Sequence, residues 1–245
     1  THILPFHPPN PPSPKPVKTI LITGGGGGIG FEIARSFTKA CASRIIIVGR
    51  RAGVLDEALV KLRKEFQGNT TEFIAHQADI APTPQSPHSG SFSTLKTSSS
   101  TSYFHLINVS TAAVHMHPSP TKIRTATSKA AFMALLGRIA DERSVDDIQI
   151  VSFHPGALYT EGVAKALDYE PFHWDEFALP ADFSVWAASS EASWLHGRFV
   201  WAHWDVDELK ADREFLKLLE EEKGYLKVGI QGLNAVTLEA MLSKS

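Results

Sequence analysis

The sequence predicts an α/β protein built on a doubly wound, mostly parallel sheet, and three observations carry the prediction. Short apolar, β-branched runs alternate with amphipathic stretches of helical period, the pattern of strands joined by crossover helices. A run of five glycines stands between the first of these strands and the first of these helices. The length, 245 residues with 43% hydrophobic and 20% charged side chains, suits a single core and excludes wholesale disorder or a collagen-like chain.

Residues 17–23 (VKTILIT) are β-branched and apolar, as expected for a parallel strand buried on both faces. Residues 29–40 (IGFEIARSFTKA) space their apolar side chains as a helix does, and 44–48 (RIIIV) supply a second buried strand. An amphipathic helix over 52–66, a stop at Gly68-Asn69 and a third strand over 72–76 continue the alternation. Further on, 103–109 (YFHLINV), 148–153 (IQIVSF) and 197–202 (GRFVWA) read as strands. Helices are expected over 125–142, 181–190 and 207–221, the last with its Glu/Lys face towards solvent. Residues 1–16 (THILPFHPPNPPSPKP) are expected to form an extended, partly polyproline-II arm, leaving 17–245 as one domain.

A net charge of -2, without a basic stripe or an aromatic platform, gives no reason to expect a nucleic-acid partner; a small-molecule substrate is expected instead. The longest apolar stretches, such as 45–48 and 130–136, fall far short of the roughly 20 residues a membrane span needs, so no membrane partner is expected. The N-terminal stretch has neither the basic start nor the unbroken apolar core of a secretory signal, and a cytoplasmic location is expected. The chain starts at a threonine, so an initiator methionine or a longer leader is expected to precede it. Cys41 stands alone and can make no internal disulfide. His115-Met116-His117 could begin a metal site, but no third ligand follows at a recognisable spacing, and no metal is expected.

Placed between a buried strand and a helix, glycines allow a tight turn, let a pyrophosphate approach the backbone, and let helix and strand pack closely; the helix N–H groups then bind the anion. Nucleotide binding is therefore expected of this turn.

The spacing Thr23-Gly24-x-x-x-Gly28-Ile29-Gly30 resembles the TGxxxGIG loop of the short-chain dehydrogenases/reductases. Further matches follow in order over 17 to about 205. Asp79-Ile80 resembles the pair that contacts the adenine, and Ile107 to Thr111 resembles the strand ending in the catalytic serine, which places Ser110, with Thr111, at the substrate carbonyl. Thr125-x-x-Ser128-Lys129-Ala130-Ala131 resembles the YxxSKAA helix, whose lysine, here Lys129, holds the nicotinamide ribose. His154-Pro155-Gly156-x-x-x-Thr160 resembles the loop that holds the nicotinamide amide, and gives Pro155, Gly156, Leu158 and Thr160 as cofactor contacts. The segment GRFVWAHWDVDEL resembles a fungal branch of the family that tailors secondary metabolites. A Rossmann-like fold and a nicotinamide dinucleotide are what the resemblance implies.

A site for NAD needs an acidic side chain after the second strand, whereas the 2′-phosphate of NADP needs positive charge there. Gly49-Arg50-Arg51 stands at that place, so NADP is the expected cofactor, with Arg50 as the clamp.

Two departures set this chain apart from the family. Thr125 occupies the place of the family's catalytic tyrosine, and an aliphatic hydroxyl is too weak an acid to replace a phenol with a reference pKa of about 10. Losing a positioned acid costs about 10²–10⁴-fold in rate. Tyr159, His115 and His117 are candidate substitutes at positions the resemblance does not support. Secondly, a proline-, serine- and threonine-rich loop over 81–102 stands where the family fits a central strand and its flanking helices, so the sheet is expected to lack that strand. Adjacent strands lie about 4.8 Å apart, and the gap must be closed by pairing the first strand with 103–109 or filled by a makeshift strand at 92–96. The family dimer uses one of the missing helices, so its oligomeric state does not carry over.

The function expected is an NADP(H)-dependent oxidoreductase that reduces a carbonyl, or oxidises an alcohol, of a small, fairly apolar metabolite in secondary metabolism. The alternative is an impaired, SDR-like pseudoenzyme or non-redox catalyst that keeps the dinucleotide scaffold.

Overall fold

Strand β1 (Thr19–Thr23) runs through the glycine turn into α1 (Gly28–Lys39), which returns the chain to β2 (Arg44–Gly49); α2 (Ala52–Glu65) and β3 (Glu72–Gln77) repeat the crossover. The computed structural model describes residues 19–79, 103–116, 123–164 and 173–229. The arm over 1–16, the loop over 81–102, the makeshift strand at 92–96, Ile80 and His117 lie outside the described residues. β1 and β2 are parallel, with Thr19 opposite Arg44, and β2 pairs with β3 in the same sense, so all three strands carry their C-terminal ends to one edge. β-branched side chains suit this pleated surface, and Ile45 and Ile47 of β2 are fully buried in it. Helix α1 buries Ile33, Ala34 and Phe37, and packs chiefly on α5 (Ala178–Ala187), where the Ser36 hydroxyl donates to Asp182 at 2.7 Å.

The second set begins with β4 (Phe104–Val109) and a 3-10 turn at Ala112–Val114. It continues through α3 (Ile123–Glu142), β5 (Ile148–His154), the short α4 (Glu161–Ala164) and α5, then a 3-10 turn at Ser190–Leu195 and β6 (Arg198–Trp201). Helices α6 (Val206–Ala211) and α7 (Arg213–Glu221) follow. β4, β5 and β6 form a second sheet in that order, with Ile150, Val151, Phe153 and Val200 in its core. By contacts the chain divides into two compact units, one of 7–104 with 155–191 and the other chiefly of 105–154 with the residues from 192 onwards.

One of two alternatives is decided and two expectations are corrected. The parallel sheet is in two three-stranded pieces, and among the described residues β1 pairs with β2 and not with β4, so the first of the two ways of closing the gap is not taken. A strand is buried on both faces only where helices cover both. Here β1 alternates, Ile22 being 7% exposed and Leu21 62%, so the uninterrupted apolar run is half-buried. The helix expected over 207–221 breaks at Asp212, whose backbone is extended and whose carboxylate accepts from the N–H groups of Glu214 and Phe215 at 2.9 and 3.1 Å. Aspartate prefers this capping role to a helix interior because its short side chain competes for backbone N–H groups.

Candidate functional site

The glycine turn is fixed at both ends. The Gly24 N–H donates to the Val48 carbonyl at 2.7 Å, tying the end of β1 and Thr23 to β2. Gly28 sits at φ +53, a left-handed value that L side chains rarely adopt. At Gly30 a Cβ would stand 2.5 Å from the Gly24 carbonyl oxygen, so the first turn of α1 can lie against the loop backbone only if no side chain intervenes. Gly27 is the N-cap of helix α1, which has no side-chain cap and no acidic residue in its first turn. Uncapped N–H groups carrying the positive end of the helix dipole are what a phosphate requires, and Ile29 lies among them. These residues fit a dinucleotide pyrophosphate, with the main chain of 24–30 as its seat.

Arg50 follows β2, and its carbonyl accepts from the Gln77 side chain at 2.9 Å while its guanidinium is exposed. Arg44 is paired with Glu72 and Arg35 with Glu32 and Glu65, but Arg50 and Arg51 form no ion pair among the described residues. Two exposed cations beyond β2 fit a 2′-phosphate. Asp79 is exposed two residues past β3, where the Ala78 N–H still donates to Gly49 at 2.9 Å.

The loop after β5 belongs to the same unit as the glycine turn. Pro155, Gly156 and Leu158 are buried, Gly156 at φ +97, and the Thr160 hydroxyl accepts from the Val163 N–H at 3.3 Å. Asp175, which the sequence did not single out, pins this loop: its carboxylate accepts from the Ala157 N–H and its own N–H donates to the Ala157 carbonyl, both at 2.7 Å. No spacing pattern links the two, so only the folded chain reveals the pair. Tyr159 packs its ring 5.3 Å from that of Trp174.

Ser110, Thr111, Thr125 and Lys129 belong to the other unit. Ser110 follows β4 directly with its N–H on the Phe153 carbonyl at 2.7 Å, and its hydroxyl is buried and donates to the Met133 sulfur at 2.8 Å. Thr111 starts the 3-10 turn, its hydroxyl accepting from the Ala113 N–H at 3.3 Å. Thr125 is exposed in the first turn of α3, and Lys129 lies one helical turn on. The Lys129 ammonium reaches across to donate to the Val109 carbonyl at 2.5 Å, and burial holds it below the ordinary lysine range. His115 packs its ring against Phe199 and Trp201. Among the described residues no three His, Cys, Asp or Glu gather as a metal site, and no helix is long and apolar enough to cross a membrane.

Residues 18–131 match the KR domain family. The short chain dehydrogenase/reductase nsrO of Aspergillus novofumigatus is 30% identical over 87% of this chain and 88% of its own length. A short chain dehydrogenase/reductase of Claviceps purpurea is 32% identical over 81% and 82%. The first of these alignments is 262 residues long, more than the 245 of the whole chain, so the relative carries residues that this chain lacks within the matched span. Among solved structures, the Pseudomonas aeruginosa RhlG complex with NADP superposes with a TM-score of 0.62 at 18% identity, covering 79% of this chain and 97% of that one. The L-sorbose reductase of Gluconobacter frateurii, solved with NADPH and L-sorbose, gives a TM-score of 0.59 at 18% identity over 77% and 95%. At that identity the structures speak for the fold alone. The chain belongs to the short-chain dehydrogenase/reductase family of oxidoreductases, in a fungal branch of it, and has its Rossmann-like α/β fold.

Proposed function

We propose that the protein is an NADP(H)-dependent reductase acting on a carbonyl, or in reverse on an alcohol, of a small and fairly apolar metabolite, with a place in fungal secondary metabolism and in the cytoplasm. The observation that carries the reading is the glycine turn, where the contact between Gly30 and the Gly24 carbonyl and the uncapped start of α1 leave backbone donors for a pyrophosphate. Thr23, Gly24, Gly28, Ile29 and Gly30 would seat the phosphates, Arg50 would hold the 2′-phosphate, Asp79 with Ile80 would meet the adenine, and Pro155, Gly156, Leu158 and Thr160 would meet the nicotinamide. Bound there, the nicotinamide supplies or accepts hydride. Thr111, whose hydroxyl proton is not committed by the bond it accepts from Ala113, would polarise the carbonyl beside Ser110, and Lys129 would hold the ribose.

A second reading, a scaffold that binds the dinucleotide without redox turnover, is favoured by one observation: the Ser110 hydroxyl is buried on Met133. Incubating the protein with NADPH and a panel of small ketones and aldehydes, and following loss of NADPH absorbance, separates the two. The reductase reading expects slow, enzyme-dependent loss with at least one apolar carbonyl; saturable NADPH binding with no loss across the panel would favour the scaffold.

A further inference from the structure

In the loop after β5, one residue holds both main-chain groups of another. Asp175 stands 18 positions beyond Ala157; its carboxylate Oδ2 accepts from the Ala157 N–H and its own N–H donates to the Ala157 carbonyl, each at 2.7 Å. The Leu158 carbonyl in turn accepts from the Thr160 N–H at 2.9 Å. Of the main-chain polar groups of Ala157 and Leu158, only the Leu158 N–H is then left with no partner among the described residues. Leu158 is 5% exposed, and a buried N–H without an acceptor is rare in a folded protein.

Asp175 also sets the direction of that N–H. The Ala157 carbonyl and the Leu158 N–H belong to one planar trans peptide, in which C=O and N–H point opposite ways, so anchoring the carbonyl on Asp175 turns the N–H away from it. A second tie lies beside the first, the Tyr159 ring standing 5.3 Å from that of Trp174. All of these residues belong to the unit that carries the glycine turn and Arg50.

We propose that Asp175 is a positioning residue for the nicotinamide half of the cofactor: by clamping Ala157 it holds the Leu158 N–H as a donor for the nicotinamide carboxamide oxygen, a role that rests on the dinucleotide reading above. Asp175 acts through the main chain of the loop and not on the cofactor itself. The adenosine half, with its 2′-phosphate on Arg50, owes nothing to the clamp. Ordering a loop before its ligand arrives removes an entropy cost from binding, so loss of the clamp weakens only ligands that carry the nicotinamide.

The test compares full-chain wild type, Asp175→Ala and Asp175→Asn by calorimetric titration with two ligands. One is NADPH; the other is adenosine 2′,5′-bisphosphate, which keeps the adenine and the 2′-phosphate and has no nicotinamide. Asp175→Ala removes the acceptor for the Ala157 N–H, and is expected to weaken NADPH about tenfold while holding the bisphosphate within about twofold of wild type. Asp175→Asn keeps a side-chain oxygen and is expected to bring NADPH back to within about threefold of wild type. Unchanged NADPH affinity in Asp175→Ala overturns the proposal, as does a parallel loss of both ligands or a failure of Asp175→Asn to recover. Hydrogen exchange at single amides of the wild-type chain needs no variant to fold. NADPH is expected to slow exchange at Leu158 and the bisphosphate to leave it unchanged; no slowing by NADPH, or equal slowing by both, overturns the proposal. Wild type that binds neither ligand overturns the dinucleotide reading and the role of Asp175 with it, whereas any of the other contrary results removes that role alone.

Discussion

Arg50 is the residue on which cofactor choice turns. Its side chain is exposed and it makes no ion pair among the described residues, so a 2′-phosphate would meet a cation with no competing carboxylate. A hydrogen bond to a charged group contributes about 1.5–3 kcal/mol. Arg50→Ala is therefore expected to weaken NADPH about 10–100-fold while leaving NADH nearly unchanged, a difference that paired fluorescence titrations read directly. At Thr125 the expected change runs the other way. Thr125→Tyr restores a phenol one helical turn from Lys129, and reductase activity should rise by at least about tenfold, part of the 10²–10⁴ that a positioned acid supplies. No change in activity would place the fault in the shortened sheet rather than in the side chain. The two positions differ in how far the sequence disclosed them. Arg50 and the missing tyrosine are visible as residue types at fixed offsets. The Ser110 hydroxyl on Met133 is not, because that contact spans 23 positions and depends on how α3 lies on the sheet.

Among the elements, the glycine turn was legible because its chemistry is local: a strand, five glycines and a helix in immediate succession. The boundary between α6 and α7 was not, because the Glu/Lys pattern continues across it and only the backbone at Asp212 marks the stop. Removing an aspartate cap costs about 0.5–2 kcal/mol, so Asp212→Ala should lower unfolding stability by about 1 kcal/mol in urea titration, provided α7 stays docked through Phe215 on Trp194 and Tyr225. The burial of β1 was misjudged for a different reason. An apolar run announces a strand, but whether both of its faces are covered depends on elements far along the chain. With Leu21 62% exposed on a strand that has one sheet neighbour among the described residues, this edge invites pairing with other chains. Leu21→Lys is expected to reduce aggregation on concentration, read by light scattering, without loss of thermal stability. A large drop in melting temperature would show that Leu21 is covered in solution.

At the scale of the whole molecule, family membership and the halves of the fold follow from collinear motifs, each in its expected secondary structure. The described strands lie in two three-stranded sheets that no described strand joins. The dinucleotide seat does not depend on that join, because β1, β2 and α1 build it within one unit. The most direct measurement is a fluorescence titration of the full chain with NADPH and, in parallel, NADH. Saturable binding of NADPH, tighter than that of NADH, is predicted; no saturable binding of either would contradict the seat and every step of chemistry built on it.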